Sequence, residues 1–402
     1  MTPSDDLTPT SCFAPEFVAD PHRVAAARRA VSAADYDSDF QAWTVFRHAD
    51  VSALLRDPTL KKDPAVAADG LYTQVLLAGE LSMLFMDDPD HRRLRGLVNQ
   101  AFTKRATESS RPRIQATVDT LLDAMATESW PVDLITALAT PFPITVIAEI
   151  LGVDPADRDD FKRWSDDSAL SFDPMLPPDV AERVASSAAE LHSYLAEAIN
   201  ARREAPGDDL ISALVAAQDA DGTQLSDDEA VGAISLLLGA GNITTTDLIG
   251  NGVLALLQHP EQLDALLADP SLIANAVEEM LRFDPPVVVT DRIATADIEL
   301  GGCPITKGQW LWPALASANR DSAVHPDPDR FDIQRADVHH VSFGGGPHLC
   351  LGAPLARMEA QIAIGSLLAR FPKIRLADPT EPPHYKSVPG FRGLAELNVL
   401  LS

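Results

Sequence analysis

Apolar residues recur along most of the chain at three- and four-residue spacing, between short interruptions of proline and acidic residues, a pattern that predicts helices. Strand-like runs are few and short. They fall at 43–46, 287–294, 298–302 and 308–314, and the tail 396–401 is expected to pair with one of them. Residues 49–57 read as a helix that stops before Pro58. From Ser226 the pattern changes scale: Ser226 and Glu229 can form a capping box, and helical spacing then continues until Pro260, giving a helix of roughly 48 Å at ~1.5 Å per residue. Apolar residues lie on nearly every side of it, so it is expected to cross the centre of the protein, while its Gly, Asn, Thr and Asp residues make it too polar for a membrane span. Leu237, Ala240, Gly241, Thr244 and Leu248 fall on one face, shallow in its middle, as a flat ligand requires. The fold class expected from this pattern is mainly α with small β-sheets. The proline-rich stretch 171–179 has helical spacing on both sides and reads as a mobile loop.

A chain of 402 residues that is 46% hydrophobic can bury a large core, and length alone would divide it into two or three domains. The proline-rich stretch reads as a loop and not a linker, so one domain over 1–402 is expected, with residues 1 to about 19 as a flexible tail. Cys12, Cys303 and Cys350 are the only cysteines, which gives no disulfide framework and points to a reducing compartment. The first residues lack the basic and apolar blocks of a signal peptide or anchor, so a soluble cytoplasmic protein is expected. A net charge of −27 argues against nucleic acid and anionic membranes as partners through long-range repulsion.

Candidate chemistry concentrates at 343–352, FGGGPHLCLG. Cys350 and His348 could be a nucleophile and its base, although side chains two residues apart seldom align for that and no third group orients them. His339, His340, His348 and Cys350 could bind zinc, but without the paired-cysteine spacing of structural zinc sites. A buried structural cysteine is the plain alternative, and it leaves unexplained three glycines that let something bulky press on the backbone. A fourth reading is thiolate ligation of haem iron. Residues after Cys350 form a good helix with Pro354 in its first turn, so the sulfur sits at a helix N-terminus, where the dipole and backbone N–H groups favour an anion. No Cys-x-x-Cys-His segment is present for covalent haem attachment.

Taken with these residues, the chain resembles the cytochrome P-450 superfamily, in particular its soluble bacterial members, from about Asp20 to the C-terminus. The resemblance rests first on Phe343, Gly346, His348, Cys350 and Gly352, and it implies haem (heme b) with Cys350 as the iron ligand and Phe343 packed beside it. The implied fold holds the haem between the long central helix, at Ala240 and Gly241, and the helix after the cysteine. A second match is Glu279 and Arg282 in NAVEEMLRFDPP, implied to bond Arg320 of ANRD and the loop before the cysteine in a structural network. His91, Arg95, Arg292 and His348 match the residues that pair with the haem propionates.

The family usually carries an acid before the threonine of the central helix; this chain reads Ala240-Gly241-Asn242-Ile243-Thr244. Thr244 is implied to lie over the iron and help deliver protons, and the proton supply is expected to use water ordered by Thr244, Asn242 or Asp247. The resemblance places Leu84, Phe85, Met86, Leu237, Ala240, Gly241, Thr244, Val288, Val289 and Phe391 around a pocket for a small hydrophobic substrate. Arg92, Arg93, Arg95, Lys104, Arg105, Arg111 and Arg113 face only Glu108 in sequence and are expected to form a docking surface for an acidic ferredoxin or flavodoxin. The implied activity is a monooxygenase that uses dioxygen to hydroxylate a substrate C–H bond. Its rivals are a peroxide-using haem oxygenase and a haem-based sensor without turnover.

Overall fold

The computed structural model describes residues 11–78, 82–101, 104–171, 173, 176–218 and 221–401. Its axis is the long helix Asp227–Gln258, called the central helix below. The capping box closes in both directions: Glu229 N–H donates to Ser226 Oγ at 3.2 Å and Ser226 N–H to the Glu229 carboxylate at 2.9 Å. Twenty of its 32 residues are buried. Helices Pro141–Leu151, Arg158–Leu170 and Pro178–Glu204 pack on it, and so does Ala353–Arg370, the cysteine helix. Gly252 lets helix Ile273–Phe283 approach closely, since a Cβ there would stand 2.6 Å from Met280 Sδ. Each fully buried Leu, Ile or Val at these contacts contributes about 1.5–3 kcal/mol.

Three of the predicted strands meet in one sheet, ordered Ala34–Asp37, Ala42–Val45, Trp310–Pro313 and Arg292–Ile293. Only its middle pair is parallel. Ile298–Leu300 forms a hairpin with Cys303–Ile305. The C-terminal strand Asn398–Leu400 departs from expectation and lies between Val132–Asp133 and Arg375–Leu376. Partners of two residues each carry no alternation that a sequence reading could detect.

Residues 11–19, expected to belong to a flexible tail, are packed on the domain. Cys12 and Phe17 are buried, Phe13 stacks on Phe40 and meets Trp312 edge-on, each at 4.9 Å, and His22 bonds Asp284 at 2.8 Å. Residues 1–10 lie outside the described residues, as do 172, 174 and 175 of the proline-rich stretch, whose Pro178 opens the next helix. Among the described residues no helix is long and apolar enough to cross a membrane.

Glu279 and Arg282 are fully buried and joined by two bonds of 2.7 and 2.8 Å. Arg282 spends its remaining donors on the carbonyls of Asn319, Pro328 and Arg330. The arginine that joins Glu279 is Arg335, at 3.3 Å, and not Arg320. Arg320 instead donates to the Phe283 carbonyl, pairs with Asp329 and lies 3.9 Å over the Phe283 ring. Its position at the end of Leu315–Asn319 brings it to the exit of the Glu279 helix, past the carboxylate. Arg282→Ala strands a carboxylate in the core and is expected to cost about 3–5 kcal/mol in urea unfolding. A loss of about 1 kcal/mol, typical of a surface pair, would mean that Arg335 neutralises Glu279 unaided.

Candidate active site

The loop before Cys350 is a tight fold of its own. Cys350 N–H donates to Phe343 O at 2.9 Å, Gly344 N–H to Val341 O at 2.8 Å and Leu349 N–H to Gly346 O at 3.1 Å. Gly346 has φ +66°, and a Cβ on it would stand 2.5 Å from Leu55 O. The bulky neighbour inferred from the glycine run is therefore, at this position, the backbone at the end of helix His48–Arg56. Gly352, on the far side of the cysteine, has nothing within 4 Å of where a Cβ would be.

Cys350 lies two residues before Gly352, the N-cap of the cysteine helix, and so at a helix N-terminus as the sequence predicts. Burial pushes its thiol pKa up, and against that act the N–H groups of Gly352 and Ala353 and the charges of Arg95 and Arg357. The residue nevertheless keeps exposed surface, as does Leu349 beside it at 49%. The next residue, Leu351, packs with the cluster that contains Leu237 of the central helix, so the cysteine loop and the middle of that helix border one region, called the slot below. There Ala240 is exposed in the middle of a buried helix, and a Cβ on Gly241 would meet nothing within 4 Å. Thr244 Oγ1 donates to Ala240 O at 2.7 Å, one turn back.

Four side chains named from sequence converge at one edge of the slot. The rings of His91 and His348 lie 4.1 Å apart, Arg95 donates to Leu349 O at 2.7 Å, and Arg292 donates to Leu55 O at 3.2 Å. A fifth, Lys62, was not read from the sequence; it is buried and bonds Asp291 at 3.0 Å. Burial, followed by the charges of Lys62, His91, Arg292 and Arg95, drives the His348 pKa down to about 2. Such a cationic edge, a shallow apolar floor and a sulfur held by two N–H groups fit a flat dianion with a thiophilic metal at its centre.

The other named residues divide. Leu84, Met86, Val289 and Phe391 are partly exposed, whereas Phe85 and Val288 are buried together with Trp310 and Trp312. Asn242 faces away from Thr244: its amide donates to Ser165 Oγ at 2.8 Å on helix Arg158–Leu170. Asp247 is held by Lys386 at 2.9 Å. Each keeps one oxygen unspent: Asn242 Oδ1 and Asp247 Oδ2 are buried with no hydrogen-bond partner among the described residues. A buried acid bonded to the central helix, not named from the sequence, is Glu359. It is buried in the cysteine helix and hydrogen-bonded to Thr245, and burial raises its pKa to about 8. An isolated acid inside ARMEAQIAIG was the available signal.

The basic surface is more neutralised than its sequence suggests. Arg92 pairs with Asp88, Arg93 with Glu229 and Arg111 with Glu108. Arg113 is exposed without an ion-pair partner among the described residues, and the side chains of Lys104 and Arg105 lie outside them.

A sequence model of the family described as Cytochrome P450 matches residues 48–269 and 265–388. The chain is 41% identical over 405 residues to the cytochrome P450 monooxygenase PikC of Streptomyces venezuelae, covering 99% of this chain and 95% of that one. It is 41% identical over 393 residues to the vitamin D(3) 25-hydroxylase of Pseudonocardia autotrophica, covering 97% and 96%. The crystal structure of the myxobacterial cytochrome P450 CYP267B1 in complex with myristic acid superposes with a TM-score of 0.89 at 39% identity, covering 97% and 98%. Replacing Arg292 by Leu is expected to weaken haem retention about 10–100-fold, measured by haem transfer to an acceptor apoprotein; unchanged transfer would remove Arg292 from the site.

Proposed function

The chain belongs to the cytochrome P450 family and is a haem-thiolate monooxygenase, and on that premise we propose that it hydroxylates a C–H bond of a small hydrophobic molecule. The observation that carries this reading is the convergence of His91, Arg95, Arg292 and His348 beside the cysteine loop, with an exposed Ala240 and an open Gly241 on the central helix. Haem bound there supplies dioxygen activation and oxygen transfer to carbon, driven by the thiolate's electron donation. The protein's residues supply the rest. Gly352 and Ala353 N–H groups favour the anionic sulfur against burial, and His91, Arg95, Arg292 and His348, with Lys62 behind them, would hold the propionates.

Leu84, Met86, Leu237, Val289 and Phe391 give the pocket an apolar lining that excludes water and favours an apolar substrate. Support for that class comes from the relative named for vitamin D(3) and the neighbour that binds myristic acid. Protons reach the pocket without a carboxylate at position 243. Glu359 stays neutral below about pH 8 and can pass its proton to the Thr245 hydroxyl, next to Thr244. Electrons would come from an acidic ferredoxin or flavodoxin docked near Arg113. A second reading, peroxide as the oxidant, is favoured by Ile243 and by the pairing of Arg92, Arg93 and Arg111.

The reduced protein is expected to give a thiolate-type carbon monoxide difference spectrum that Cys350→Ala abolishes; its persistence in that variant would sink the assignment. A ligand screen by iron spin-state shift would then find the substrate. Turnover with NAD(P)H and a ferredoxin system, absent when the donor is omitted, separates the two oxidant readings. Thr244→Ala and Glu359→Gln should each divert reducing equivalents to hydrogen peroxide. In the unaltered enzyme the yield of product per NAD(P)H should fall as pH passes about 8, whereas Glu359→Gln should lack that step. Full coupling in both variants would exclude this proton route.

A further inference from the structure

Glu278, the residue before the buried Glu279, points the other way, toward the back of the cysteine loop. Its carboxylate takes two bonds from Arg357, at 2.6 and 2.9 Å, and one from His340 Nε2 at 3.1 Å. These partners sit at opposite ends of the loop: His340 precedes it and Arg357 lies in the first turns of the cysteine helix. His340 Nδ1 accepts the Ser342 N–H at 3.2 Å, so this ring ties Glu278 to the backbone at the start of the loop. The Arg357 guanidinium lies 4.4 Å over the Phe343 ring, and Phe343 O accepts the Cys350 N–H. Arg357 is thus held by a carboxylate on one side and an aromatic face on the other, directly behind the ligand loop. Its charge also reaches the thiol, whose pKa it lowers.

We propose that Glu278 and Arg357 are positioning residues that set the reduction potential of the cysteine-ligated haem. The idea rests on the monooxygenase reading above. The physical reason is that a cation near the sulfur stabilises the thiolate, weakens its donation to the metal and favours the reduced form, while a nearby carboxylate does the reverse. The pair is partly exposed, with side-chain exposures of 35% and 25%, so its influence should shrink as added salt screens it.

The two partners make the test decisive, because an ion pair has opposite charges whereas a structural brace has one direction of failure. Glu278→Gln, Arg357→Gln and the double variant are to be prepared as substrate-free holoprotein, and their potentials measured by spectroelectrochemical titration at low and high salt. Glu278→Gln should raise the potential, Arg357→Gln should lower it, and the double variant should return toward the starting value. Arg357→Lys, which keeps the charge and loses the bidentate geometry, should shift it less than Arg357→Gln. Shifts of the same sign in both single variants, or none, overturn the proposal. The carbon monoxide difference spectrum of each variant is the separate control: its absence from the unaltered protein would sink the parent reading, whereas its presence with same-signed shifts sinks only this one.

Discussion

Removing a thiolate from water is costly, and the surroundings of Cys350 are arranged to offset that cost. Burial alone favours the neutral thiol, so the anion depends on what is placed around it: two N–H groups at the start of a helix, and two guanidinium groups at the rim. A helix start can be brought to the centre of a protein only if the chain before it turns sharply. Gly346, in its left-handed conformation, permits that turn while pressed against the Leu55 carbonyl. The loop in turn needs a rigid base, which the buried Glu279–Arg282 pair provides by gathering the carbonyls of Asn319, Pro328 and Arg330.

The distribution of charge follows the same logic. A chain of net charge −27 collects Lys62, His91, Arg95, Arg292 and His348 at one internal edge, where mutual repulsion and burial depress the His348 pKa. Such a cluster is tolerable in a folded protein when an anionic group belongs there, and it tells against a merely structural cysteine. Screening by salt acts mainly on exposed charges and leaves this interior field little weakened.

Much of this arrangement was legible in the sequence. The capping box at Ser226 and Glu229 located the start of the central helix because that motif is local, and the glycine run with its cysteine marked a special backbone for the same reason. Long-range pairing was not legible. Arg335 replaces Arg320 beside Glu279, Asn242 serves helix Arg158–Leu170, and Arg93 finds Glu229 on the central helix, all because side-chain partners are chosen by the fold and not by spacing. Glu359 was overlooked since an acid in a helix is usually solvated, and only burial reveals its neutral state.

The Leu55 carbonyl has a further consequence. It accepts a bond from Arg292 and also forms the surface on which Gly346 rests, so one peptide unit aligns the cysteine loop with the cationic edge. Both contacts are made by the Leu55 main chain, while its side chain, with Val51 and Leu54, is buried in the core beneath. What that helix cannot absorb is a change in the number of its residues: an inserted or deleted position would rotate this oxygen away from both partners at once. Related chains should therefore keep the spacing of residues 48–56 to the sheet that carries Arg292 more strictly than the identity of the exposed residues among them.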